Sequence, residues 1–125
     1  MVKFIWHEFG HSFVNSATDK YSDKVESLNK LFEPIKENMS RQAYSEWKIC
    51  VYEHIIRAVV VRLFELNFGF QESKSILDNE LGRGFIYIEP LIEKLKDFET
   101  QRDKNNITFT EYYPELLEVL DGLQE

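Results

Sequence analysis

His7, Glu8 and His11 fall within five residues, His7-Glu-Phe-Gly-His11, and together they could carry hydrolytic chemistry. On a helix, a spacing of four puts both imidazoles on one face about one turn apart, where two ring nitrogens can converge on a tetrahedral Zn²⁺. Glu8 follows the first imidazole directly, so it points about 100° round the helix and misses the metal. It can still reach a water in the open fourth position and take its proton as a general base. Phe4, Ile5, Phe9, Phe13 and Val14 surround the motif, and Glu8 is the one charged residue between Lys3 and Asp19. The segment therefore reads as a buried helix, over about residues 3–17, whose polar groups need partners. A core helix with two hydrogen-bonded histidines would show the same pentapeptide without the chemistry.

Such a metal needs a third protein ligand from an element packed on the first helix. The longest helical pattern begins after Ser40, runs unbroken to Leu66 and meets Gly69 as a suitable residue just past its end. Projected at helical spacing, Lys48, Tyr52, Ile55, Val59 and Arg62 share one side, and Cys50, Glu53, Arg57, Val60 and Phe64 gather on the other. Lys48 and Arg62 mark the first side as the more exposed. Glu53 then lies near the middle of the buried stripe, where a carboxylate is costly unless a cation meets it. Zinc is one such cation. Arg57, one turn on in the favourable orientation, is the other. The expected ligand set is His7, His11 and Glu53, with Arg57 as an orienting partner and His54 as a nearby auxiliary group. Two alternatives stay open: a Glu53–Arg57 ion pair without metal, and His54 in place of Glu53 as third ligand. Tyr112 and Tyr113 are candidates to hold a developing oxyanion, and Tyr113 is taken as the catalytic one. Beside Pro114 both also fit as packing residues. Asn15, one turn beyond His11, would cap the helix or hold a carbonyl near the metal. No glycine turn with a third histidine follows Asp19, which speaks against the extended metzincin pattern.

At 125 residues the chain is one domain's worth, residues 1–125, and can bury its own core. A formal charge of −7 argues against binding a phosphate backbone, because clustered Lys and Arg are missing. Cys50 is the single cysteine, so neither an intrachain disulfide nor a cysteine-rich zinc site can form. No apolar stretch is long enough to span a membrane, and the residues before His7 are too few for a signal sequence. Export would require a segment preceding residue 1, and the composition assigns no compartment.

Elsewhere the apolar residues recur at 3–4 spacing, and glycine and proline punctuate the chain sparsely. A second helix is expected over about 22–38, kinked or shortened by Pro34. A fourth follows at about 71–80, ended by Gly82-Arg83-Gly84. The fifth covers about 86–103, before a polar turn at 103–106. Residues 107–110 could be a brief extended piece, and a last helix carries Pro114 near its first turn. The fold class is all-α, with five or six helices packed around a central long one.

The run Phe4-Ile-Trp-His-Glu-Phe-Gly-His-Ser-Phe resembles the zincin consensus, departing from it at Phe4, where Val or Thr is usual. Residues His7 to Asn15, followed by Glu53-His-Ile-Ile-Arg-Ala, are similar to a domain-of-unknown-function family of bacterial predicted zinc metallopeptidases. The resemblance implies a Glu-zincin arrangement: His7 and His11 as ligands, Glu8 as base, and a Glu on a later helix, which maps onto Glu53. It implies zinc as cofactor and a peptide or protein as substrate. It also implies a sheet-bearing portion before the motif, so that this chain corresponds to the helical half of such a domain. The alternative is a truncated or inactive helical module that keeps metal, or nothing, and offers its surface to partners. Self-association through the apolar face of the first helix would belong to that reading.

Overall fold

The computed structural model describes residues 14–124. All its regular elements are helical: α1 (14–20), α2 (Ser22–Ser27), a 3₁₀ turn (Asn29–Phe32), α3 (Lys36–Arg41), α4 (Trp47–Phe68), α5 (Phe70–Gly82), α6 (Ile88–Asn105) and α7 (Phe109–Gly122). The fold is all-α, as the periodicity predicts.

Helix α4 is the centre of the molecule. Its sequence holds seven β-branched residues, Ile49, Val51, Ile55, Ile56, Val59, Val60 and Val61, which are mediocre helix formers. It is helical because it is buried: Cys50, Val51, Ile55, Ile56, Ala58, Val60 and Val61 all lie in the core. Helices α5 and α6 pack along it, α2 and the 3₁₀ turn cover its first half, and α7 packs on α6. Polar pins fix the registers. The Trp47 indole donates to the Val25 carbonyl at 2.7 Å, and the Tyr87 hydroxyl to the Leu31 carbonyl at 2.7 Å. Arg62 grips Glu99 with Nε and Nη2 at 2.6 and 2.9 Å, joining α4 to α6. Asp19 joins α1 to α4, accepting from the Tyr52 hydroxyl and lying 2.7 Å from Lys48 Nζ.

Three boundaries differ from the sequence expectation. The segment 22–38 is not one kinked helix but α2, a 3₁₀ turn and the start of α3, because Pro34 has no N–H to offer the turn before it and the chain tightens there. The long helix starts at Trp47 rather than after Ser40. Between them α3 ends in a Schellman turn, with Tyr44 N–H on the Met39 carbonyl, Ala43 N–H on that of Ser40, and Ala43 at φ 74°. Residues 109 and 110, read as extended, open α7 behind Thr108, whose side chain and Glu111 form a capping box.

Candidate functional site

Glu53, His54 and Arg57 project from the first half of α4, and all three are buried, at 4%, 2% and 6% exposure. The expected Glu53–Arg57 contact is present: Arg57 Nη2 lies 3.0 Å from Glu53 Oε1. Arg57 also reaches further than its own helix. Its Nη1 donates to Glu80 Oε2 at 2.8 Å, and its Nη2 to the Tyr44 hydroxyl at 3.1 Å. Beneath the guanidinium the ring of Phe85 lies 4.3 Å away. Glu80, at 1% exposure, has its other oxygen 3.3 Å from Arg83 Nη1. The result is a run of alternating charges, Glu53, Arg57, Glu80 and Arg83, that begins in the interior and ends at the half-exposed Arg83.

Two helix ends assemble this run. At the end of α5, Phe85 N–H bonds the Glu80 carbonyl and Gly84 N–H that of Leu81, a second Schellman turn with Gly84 at φ 101°. A Cβ on Gly84 would stand 2.7 Å from Asn38 Nδ2, so both the backbone angle and the packing call for glycine. This turn docks on the one ending α3. Gln42 Nε2 donates to the Arg83 carbonyl at 2.7 Å, and Arg83 Nη2 donates back to Gln42 Oε1 at 3.2 Å. Docked together, the turns bring the Tyr44 and Phe85 rings next to each other, centroids 6.0 Å apart, and both against Arg57, at 6.0 and 4.3 Å from its guanidinium carbon.

His54 faces another way, against the rings of Phe85 and Tyr87 at 5.2 and 5.3 Å. Its Nδ1 lies 2.8 Å from the Cys50 carbonyl and must therefore carry the ring proton, while Nε2 is buried with no hydrogen-bond partner among the described residues. Burial, and secondarily the nearby Arg57, hold its pKa down at about 4. Burial, reinforced by Glu53, pushes the Cys50 thiol up to about 12, so it is an inert packing residue.

Tyr113 is fully buried, stacked on Tyr21 and hydrogen-bonded to Thr18, whose own hydroxyl donates to the Val14 carbonyl. Tyr112 donates to Asp97 and to the Lys94 carbonyl, linking α7 to α6. Asn15 is half-buried on α1. His7, Glu8 and His11 lie outside the described residues. Of the expected site, then, the structure brings Glu53 and Arg57 together, sets His54 beside them on another face, and holds Tyr113 and Asn15 on separate elements. Glu80, Tyr44 and Arg83 are the members that sequence reasoning missed. Glu80 was within reach of it, because Ser73, Ile76, Leu77 and Glu80 form an inward stripe at helical spacing.

Two imidazoles and a carboxylate are a donor set that zinc takes; of the expected set only Glu53 is among the described residues, and the cation it meets there is Arg57. Among the described residues no three His, Cys, Asp or Glu side chains gather where they could hold a metal, so a centre built on Glu53 would need at least one ligand from outside them.

An all-helical domain organised round a buried ion run on its central helix is the class this fold and site define. The chain belongs to the family described as Domain of unknown function (DUF4932), whose model matches residues 1–119. No curated protein and no solved structure matches it.

Proposed function

We propose that the chain is the helical, metal-bearing part of a zinc-dependent peptide hydrolase, with His7, His11 and Glu53 as ligands and Glu8 as general base. The observation that supports this is Glu53. A carboxylate singled out as third ligand from the helical stripe alone lies buried on the central helix, beside Tyr52, which binds α1 through Asp19. Zinc held there would polarise a scissile carbonyl and make water acidic near neutral pH. Glu8 takes the proton of the attacking water and returns it to the leaving amine. Arg57, whose Nη2 lies 3.0 Å from Glu53 Oε1, would hold that carboxylate by charge, and the apolar packing around both would limit competition from water. Tyr113 would have to exchange Thr18 for a substrate oxygen before its hydroxyl could stabilise an oxyanion.

The test is elemental analysis and hydrolysis of an unstructured protein. We expect one zinc per chain, lost in His11→Ala, with Glu8→Gln keeping zinc and losing hydrolysis. Absence of zinc from the purified chain, or hydrolysis that persists in Glu8→Gln, would overturn the reading.

A second reading, a helical binding module without hydrolysis, is favoured by a different feature. Leu66, Phe68 and Phe70 are exposed around the α4–α5 corner, next to a groove of about 350 Å³ floored by Val61, Leu77 and Ile92. Zinc without hydrolysis, together with a concentration-dependent mass by light scattering, would support a self-associating module.

A further inference from the structure

Helices α5 and α6 both pack along α4 but hardly touch each other, so a groove of about 350 Å³ opens between them over the second half of α4. Its floor is apolar, made by Val61, Leu77 and Ile92, and Phe70, 64% exposed, stands at its lip. The walls are two matching rows, residues 70, 73, 74 and 77 on α5 and residues 89, 92, 93 and 96 on α6. From first to last member each row advances about 10 Å along its helix, or two turns. Charge of one sign predominates along the edges. Glu65, Asp78, Glu89 and Glu93 face only Lys74 and Lys96, and those two cations are already paired, with Asp78 and Glu93, each at 3.0 Å. Glu65 has Arg62. Glu89 is exposed and has no ion-pair partner among the described residues. It lies one turn before Glu93 on the same helix face, a like-charge spacing that costs α6 stability.

From this geometry we infer that the groove docks a cationic amphipathic helix of another protein, whose apolar ridge enters between α5 and α6 while its Lys or Arg residues meet Glu89, Glu93 and Asp78. The walls decide the form of the partner. They are helices whose backbone groups are bonded internally, so they offer no edge to an extended peptide, whereas a groove two turns long receives side chains at i, i+3 or i+4, and i+7. Charge then decides its composition. A second copy is a poor occupant, because it carries −7 overall and its exposed Leu66 and Phe70 stand within two residues of Glu65 and Glu72. The inference takes its site from the module reading above, needs no metal, and puts a foreign helix where that reading puts a second copy.

The probe is a synthetic helix of about 18 residues, long enough to fold on contact, with leucines at i, i+4 and i+7 on one face and lysines on the others. Labelled with fluorescein, it is titrated with the full chain and read by anisotropy, beside the same peptide carrying glutamate for lysine. The lysine peptide should bind and the glutamate peptide should not. Glu89→Lys should weaken binding by about 5–10-fold and Phe70→Ala by about 10-fold, since one reverses the unpaired charge and the other removes an exposed aromatic anchor. Both residues are exposed, so both variants should melt as the parent does. Glu118→Lys makes the same charge change on the exposed face of α7 and should leave the affinity unchanged. Equal weakening by Glu118→Lys and Glu89→Lys would show attraction to net charge alone and would overturn the docking site. So would a glutamate peptide that binds as well, or binding untouched by Phe70→Ala and Glu89→Lys. A chain that ignores both peptides but gains mass with concentration holds a second copy there; the inference then fails and the module reading stands. One that binds neither peptide and stays monomeric overturns both.

Discussion

Arg57 carries more of the interior's electrostatics than any other described side chain, since it faces Glu53 and Glu80 at once with almost no water to share the charge. Without Arg57, Glu53 loses the guanidinium beside it and Glu80 keeps only the half-exposed Arg83, so much of the desolvation cost that the pairing offsets returns. Arg57→Met should therefore destabilise the metal-free protein by about 3–5 kcal/mol, read as a lowered urea midpoint with unchanged slope. Lys74→Met is the counterpart. It breaks an i,i+4 pair with Asp78 of similar geometry, but both side chains are more than half exposed, and the change should stay within about 0.5 kcal/mol. Equal losses in the two variants would contradict the claim that burial sets the scale. The same reasoning shows what a single residue reveals before folding. Glu53 was legible because it interrupts an apolar stripe with a cation one turn away. Glu80 interrupts an equivalent stripe on α5, but local spacing announces only Arg83 at i+3, and its closer partner, Arg57, comes from α4. Tyr44 gives no sign at all, since its place beside Arg57 depends on the turn over residues 39–44, where the long helix was expected to begin.

At the scale of elements, the two Schellman turns that frame the site solve one problem with different residues. Gly84 adopts φ 101° without a Cβ to strain, whereas Ala43 takes φ 74° in the same role at the end of α3. Left-handed backbone costs a non-glycine residue about 1–2 kcal/mol, against the smaller entropic cost of introducing glycine. Ala43→Gly should thus raise the melting temperature by a few degrees, while Gly84→Ala should lower stability by about 1–3 kcal/mol and push Asn38 aside. A destabilising Ala43→Gly would show that the turn is held by something other than its hydrogen bonds. The contrast also explains the legibility of the helices. The end of α5 was readable because glycine marks it. The end of α3 was not, because alanine gives no such mark, and the helical pattern before and after it looks continuous. Helix α7 offers another case of tertiary support for a local defect. Pro114 lies in its interior and cannot donate to the Thr110 carbonyl, and the Tyr21 hydroxyl donates there instead at 3.2 Å. That contact anchors α2's entry against α7 from 89 positions away in sequence.

For the whole molecule, the sequence predicted helical class and a central helix because α4 is apolar over most of its surface, a property that needs no knowledge of its neighbours. What the molecule does with pH depends on a group whose surroundings only the fold reveals. His54 is held neutral at a pKa of about 4, against 6.5 for the free side chain, chiefly because nothing near it can hydrate its charge. The unfolded chain gains a proton on His54 as pH falls through about 6.5, and the folded chain does not until near its lowered value. Stability from this group is complete above about pH 6.5 and is lost as pH falls, by about 3 kcal/mol once both forms are charged. A competing effect runs the other way. The chain carries −7 near neutrality with a pI of about 5.0, so acidification over the same range relieves repulsion between surface carboxylates. Exposed charges are separated and screened, and pairwise they contribute fractions of a kcal/mol, so the buried imidazole should dominate. Urea midpoints measured in chelator should therefore fall steadily from about pH 7 to about pH 5, before most carboxylates titrate. In His54→Leu, which fills the contact with Phe85 and Tyr87 and has no proton to bind, the same series should be flat or rise slightly. A parent curve as flat as the variant's would mean that water reaches the ring between α4 and the Phe85–Tyr87 segment. The dry packing that this account gives to the whole first half of α4, Glu53 included, would then be wrong.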